Sequence, residues 1–242
     1  MHPLLKAIDA YWDDTRTTWS DAQAKQDPDN VHELRVATRR LQASLSLLES
    51  VMRMRAASKA TQRFRRLMKR LGPLRDIHVQ LTLVKTWKKS ETTSGFRAFL
   101  KELEREERRR VRKYLTSKRQ KKIREILKVF EQHAASALRS LGARTARRRL
   151  VHAVESQRAN LEAARAKALS GDIRALHELR KAAKRLRYSL EAAQSALGPE
   201  TAVEIRRLRS LQGKLGRDRD VQILEKRFKT WQSNLTHSIN NH

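Results

Sequence analysis

The chain has 242 residues, enough to bury a real core, with 39% hydrophobic and 5% aromatic side chains and few helix breakers, 7 Gly and 4 Pro. It has no cysteine, which excludes disulfides, thiolate zinc sites and cysteine nucleophiles and fits a reducing compartment such as the cytoplasm. Against 26 Asp and Glu stand 55 Lys and Arg, a net charge of +29, and self-repulsion on that scale implies a polyanionic partner without saying which.

Pro3 to Ala24 reads as a first helix, with Leu4, Ile8, Trp12 and Trp19 at helical spacing, and Asp27-Pro28-Asp29-Asn30 breaks it. Asn30 with Glu33 three residues later resembles a capping box, launching a helix that runs to about Met54. A third helix spans roughly Ala57 to Leu71. Gly72-Pro73 is expected to end it and to start a fourth, lined by Ile77, Leu81 and Val84. Ser90 to Gly95 reads as a polar connection, followed by two highly charged helices, Phe96 to Tyr114 and Lys118 to Leu141. Gly142 marks a break, after which a helix from about Ala143 to Leu169 mirrors the first. Ser170-Gly171-Asp172 caps the next helix and Gly198-Pro199 closes it; further helices run to about Leu215 and from about Asp218 to Leu235. No sustained alternation argues for a strand, and no run approaches the roughly eighteen apolar residues of a membrane span. The opening residues form no apolar signal region, so neither secretion nor membrane insertion is expected.

One stretch occurs twice. Val31 to Leu48 reads VHELRVATRRLQASLSLL, and Leu176 to Ala193 reads LHELRKAAKRLRYSLEAA. Aligning His32 with His177 places Arg35 on Arg180, Arg39 on Lys184 and Arg40 on Arg185. At about 100° per residue, Leu34, Ala37, Leu41, Leu45 and Leu48 fall within about 40° of one meridian, while His32, Arg35 and Arg39 share the opposite one. The second copy divides likewise, with His177, Arg180, Lys184 and Arg187 on the polar side. A second pair follows in the same order: Leu71-Gly72-Pro73-Leu74-Arg75-Asp76 matches Leu215-Gly216-Arg217-Asp218-Arg219-Asp220 as L-G-x-x-R-D. The motif offsets, 177 − 32 = 145 and 219 − 75 = 144, differ by one residue, which makes chance similarity a poor account. The chain therefore reads as two repeat units, about 1–141 and 142–242, within one domain.

The paired H-E-L-R-x-x-x-[RK]-[RK]-L helices, each followed by L-G-x-x-R-D, resemble the CHAD domain, the conserved-histidine α-helical domain, over nearly the whole chain. The resemblance implies an all-α fold of two pseudo-two-fold-related antiparallel helical bundles around a basic central groove or channel. It also implies non-catalytic binding of inorganic polyphosphate, at polyphosphate granules in the cytoplasm, with no cofactor and no metal. Where relatives carry an acidic residue this sequence has His78, a further potential neighbour of phosphate.

The residues support this reading unevenly. A lone helical histidine is usually structural, but His32 and His177 recur at equivalent positions, each one and two turns from a cation. Like charges nearby should hold such an imidazole neutral, and a bound phosphate should reverse that, so binding should tighten at mildly acidic pH. Arg35, Arg39, Arg40, Arg180, Lys184, Arg185 and Arg187 form basic stripes with no evident acidic partner, since Glu33 and Glu178 lie on other faces and Glu49 beyond the cluster. Arg75 and Arg219 stand beside an expected helix N-terminus, which favours anions as well. Arg63 aligns with Arg207 and Arg70 with Lys214, so the preceding helix keeps cations in both halves. The densest basic run, Lys101 to Lys122, reads first as a solvated face, because Glu102, Glu104, Glu106 and Glu107 partly neutralise its start, with an extension of the channel mouth as the alternative.

Two other functions compete. General or single-stranded nucleic-acid binding would call for aromatics interleaved with the cations, yet Trp12, Trp19, Trp87 and Trp231 have apolar neighbours. It stays as a weaker second partner. A phosphotransfer enzyme using His32 or His177 would need acidic residues spaced for Mg²⁺, and none accompanies either histidine. The H-E-x-x-H zinc motif fails at Val36 and Lys181, and no Walker loop is present. Oligomeric state is not legible.

Overall fold

A computed structural model describes residues 2–54 and 58–240, without the side chains of 58, 216–219 and 235–240. Eight helices account for almost all of it and no strand occurs among the described residues: α1 (Pro3–Ala24), α2 (Pro28–Met52), α3 (Ser58–Val84), α4 (Glu91–Tyr114), α5 (Ser117–Leu141), α6 (Ala143–Ala168), α7 (Ile173–Leu197) and α8 (Thr201–Asn240). The all-α expectation holds.

α1 starts where Pro3 supplies the preset backbone angle and the His2 ring accepts from the Leu4 amide at 3.2 Å. α2 is capped differently from expectation. Asp27, not Asn30, is the N-cap: its carboxylate accepts from the Asn30 amide at 2.9 Å while Pro28 opens the helix. Asn30 lies inside the first turn and donates back to the Lys25 carbonyl at 3.0 Å. α4 likewise begins earlier than the sequence suggested, at a capping box formed by Ser90 and Thr93, so Ser90 to Gly95 is a helix start and not a connection.

The largest correction concerns both L-G-x-x-R-D motifs. Neither breaks a helix. Pro73 lies inside α3, and Leu215 to Asp220 lies inside the 40-residue α8. An interior proline costs about 3 kcal/mol. Here Leu67, Leu71, Leu74 and Ile77 flank it on the buried face of α3, and their packing outweighs that cost. The second motif has no proline, and glycine alone disfavours a helix by only about 1 kcal/mol. Arg75 consequently sits mid-helix, and the expected help from a helix N-terminus is absent.

The core is assembled around α2 and α7. α1 packs on α2 and α6 on α7; α2 meets α7 directly, and each also touches the other's companion, α2 with α6 and α1 with α7. α3 packs on α2, α8 on α7, and α3 meets α8. The apolar stripe read from the repeats is the buried one: Leu34, Ala37, Leu41, Leu45, Leu48, Leu179, Leu186 and Leu190 are all buried. α4 lies along α3, and α5 contacts α1, α2, α3 and α6. A separate aromatic cluster closes the far end, where Trp87, Phe96, Phe99, Phe228 and Trp231 join the end of α3, the start of α4 and the second half of α8. No helix among the described residues is long and apolar enough to cross a membrane.

Candidate functional site: a basic surface shared by α2 and α7

Because α2 and α7 bury their apolar stripes in one core, their polar stripes emerge side by side. Arg35, Arg39, Arg180 and Lys184 are all half-buried. They act on one another across the helix pair. The Lys184 ammonium is pulled down to about 7 from its ordinary value, by burial first and then by Arg39 and Arg180, with Arg35 adding and Asp220 opposing. Arg35 is lowered to about 10, by burial and then by Arg39, with Asp76 opposing. A protein holds guanidinium and ammonium groups in such mutual opposition only at a cost in stability.

Arg35 reaches α3. Its Nη1 donates to the Met68 carbonyl at 3.0 Å, and a Cβ at Gly72 would stand 3.7 Å from it, so the guanidinium packs over the glycine of the first L-G-x-x-R-D motif. Arg75, from the same motif, donates to the Pro28 carbonyl at 3.2 Å and so ties α3 to the start of α2. Beside it lies His32, half-buried and lowered below its ordinary pKa by burial, then by Arg75, with Arg39 and Arg35 adding to the effect and Glu33 opposing it. That neutral imidazole among cations is the state expected from the sequence, although desolvation, which the sequence does not show, is its largest cause. No ion pair within 4 Å among the described residues involves Arg35, Arg39, Arg75 or Lys184. His177 lines a cavity of about 490 Å³ with Leu176, Arg180, Leu215 and Gln222.

Other expected members stand elsewhere. Arg40 and Arg187 do have an acidic partner: Glu191, its side chain only 8% exposed, lies 3.4 Å from Arg40, 3.3 Å from Arg187 and 2.9 Å from Arg209. Arg40 also approaches Asp14 at 3.7 Å, and Arg187 lies over the buried Tyr188 ring at 4.3 Å. The expectation that the stripes lack carboxylates is therefore corrected for these two arginines. The Arg187–Glu191 spacing of four was visible in the sequence; the convergence of Arg40 from α2 and Arg209 from α8 was not. Arg185, Arg207 and Lys214 are exposed. Arg63 and Arg70 point away from the stripe: at about 100° per residue they fall on the side of α3 opposite Met68, Gly72 and Arg75. The Arg219 side chain lies outside the described residues.

His78 is not available to phosphate. Its side chain is fully buried, with Nε2 3.2 Å from Glu104 on α4, and it is lowered to about 4 by burial, with Glu104 opposing and Arg108 and Arg75 adding. It is a neutral packing residue at the α3–α4 interface. None of the aromatic side chains is exposed: Trp12 and Trp19 are in the main core, Trp87 and Trp231 in the aromatic cluster. Among the described residues no three His, Asp or Glu side chains come together as a metal cluster.

The CHAD domain family model matches residues 6–229, so the chain belongs to the CHAD family, whose known role is polyphosphate binding. Its fold is similar to that in the crystal structure of the CHAD domain from the plant Ricinus communis, with a TM-score of 0.81 at 20% sequence identity, covering 98% of this chain and 82% of that one. No curated protein matches the sequence. Family membership supports a role connected with polyphosphate, in a domain that generally binds rather than catalyses.

Proposed function

We propose that this protein binds inorganic polyphosphate, without catalysis, along the surface where Arg35 and Arg39 of α2, Arg180 and Lys184 of α7 and Arg75 of α3 converge, with His32 and His177 at its margins. The observation that carries this is the convergence itself: Arg35, Arg39, Arg75 and Lys184 come from three helices, are half-buried, and among the described residues form no ion pair within 4 Å with a carboxylate. A polyphosphate carries charge on every phosphate and no bases, so it supplies closely spaced anions to such a surface and makes no demand for stacking partners. Arginine suits two-pronged phosphate contacts and Lys184 a point contact. The exchanged packing of α1 with α7 and α2 with α6 is what two repeats, about 1–141 and 142–242, related by a pseudo-two-fold axis would produce, with the groove along that axis. The cellular setting we infer is the cytoplasm, at polyphosphate granules.

Nucleic acid is the weaker reading, because every aromatic side chain is at least partly buried and no stacking platform accompanies the cations. Histidine phosphotransfer has no acidic cluster to hold a metal among the described residues. The discriminating experiment titrates the protein with long-chain polyphosphate and with single- and double-stranded DNA at several salt concentrations. All electrostatic binding weakens with salt, and polyphosphate should be clearly preferred at about 150 mM. Equal affinity for DNA at that salt overturns the reading.

A further inference from the structure

Arg63 and Arg70, turned away from the central stripe, belong to a different assembly. A pocket of about 230 Å³ opens between α3 and the start of α5, lined by Arg63, Arg66, Tyr114, Arg119, Lys122 and Ile123. Its cations are arranged, not merely numerous. Arg119 is fixed by donating to the Lys113 and Tyr114 carbonyls at 3.0 and 2.8 Å and by lying 4.8 Å from the centroid of the Tyr114 ring. Arg70 engages the same ring at 5.8 Å. No ion pair within 4 Å among the described residues involves Arg63, Arg66, Arg119 or Lys122. On α4, by contrast, clustered arginines are neutralised: Arg105, Arg108, Arg109 and Arg110 each have a glutamate.

We propose that Arg63, Arg66, Arg119 and Lys122 form a second anion site, on the face of α3 opposite the central stripe, that takes a compact oligophosphate. Its size argues for the class of ligand: 230 Å³ falls below the roughly 300 to 1,000 Å³ of pockets that enclose organic ligands. The Tyr114 ring already carries two guanidiniums, so a nucleobase would have to displace Arg119 to stack there. Four cations from two helices match an anion with several charged oxygens within a few ångströms. The ligand chemistry is shared by a free di- or triphosphate and by the end of a longer chain; only the second source rests on the function proposed above.

Tripolyphosphate titrated into the protein by calorimetry tests this. The pocket variant is Arg66→Ser with Lys122→Ser; both side chains are exposed and make no hydrogen bond or ion pair with another described residue, so its melting temperature should match the wild type. The stripe variant is Arg39→Ser with Lys184→Ser. We expect two tripolyphosphate sites in the wild type, one in each variant and none in the combination. A pocket variant that titrates like the wild type overturns the second site. If instead the wild type shows one site, lost only in the pocket variant, the second site stands and the central one fails. With long-chain polyphosphate, an affinity loss of about tenfold or more in the pocket variant identifies a chain end as the ligand. Unchanged long-chain affinity identifies free oligophosphate.

Discussion

α4 and the α2–α7 pair are both rich in cations, and they use them in opposite ways. On α4, Arg105, Arg108, Arg109 and Arg110 each lie within 4 Å of a glutamate on the same helix, and most of those side chains face solvent. On α2 and α7, Arg35, Arg39 and Lys184 lie half-buried against one another with no such partner among the described residues. The density of basic residues in the sequence would rank α4 first. What separates a solvated face from an anion-binding one is the local supply of carboxylates and the degree of desolvation, not the count of arginines.

Charge reversal is the strongest way to break this contrast. Arg39→Glu with Lys184→Glu should reduce long-chain polyphosphate affinity by at least about 100-fold, since each charge-assisted contact is worth about 1.5 to 3 kcal/mol. A loss below tenfold in a direct binding titration would place the ligand elsewhere. Glu191 sharpens the contrast from within. Glu191→Gln leaves Arg40, Arg187 and Arg209 around an uncharged partner, and should cost about 3 kcal/mol of stability, roughly 10 °C in Tm, with little loss of affinity. If affinity collapses while Tm holds, Arg40 and Arg187 serve the ligand and not the fold.

The pH dependence comes next. With Lys184 near 7, the site loses a positive charge as pH rises through that value, so affinity should climb by about tenfold from pH 8 to pH 6. His32, lowered below 6.5, should add a further rise below pH 6. Calorimetry across this range should show Lys184→Met flattening the upper limb and His32→Asn the lower. The sign for the ligand-free protein is opposite. Lys184 has its folded pKa below its unfolded one, so the charged form penalises the fold fully below about pH 7 and the penalty fades as pH rises toward the unfolded value. Lys184→Met should therefore raise Tm at pH 6 by about 2 to 4 °C. The smallest effect is expected on α4, where Arg105→Glu with Arg109→Glu should change polyphosphate affinity by less than about threefold.

The repeated H-E-L-R helices make the all-α fold and the buried faces of α2 and α7 legible in the sequence, because a 3.6-residue period divides apolar from basic residues and Leu34, Leu41, Leu186 and Leu190 are buried as that period requires. Local signals were less dependable. Gly72-Pro73 looked like a break, yet tertiary packing carries α3 through it; Asn30 looked like a cap, yet Pro28 one residue after Asp27 fixed the helix start earlier. Desolvation of Lys184, the convergence of three arginines on Glu191 and the burial of His78 against Glu104 all come from contacts between distant segments, which no spacing rule reports.

The 40-residue α8 has a practical consequence. About 60 Å long, it contributes Ile205 and Leu208 to one core and Leu224, Phe228 and Trp231 to the other. Trimming a fragment to the family-matched stretch, 6–229, would remove Trp231 at one end and the buried Leu4 and Leu5 at the other. Such a fragment would open an apolar seam at both extremities, and its poor solubility would say nothing about phosphate.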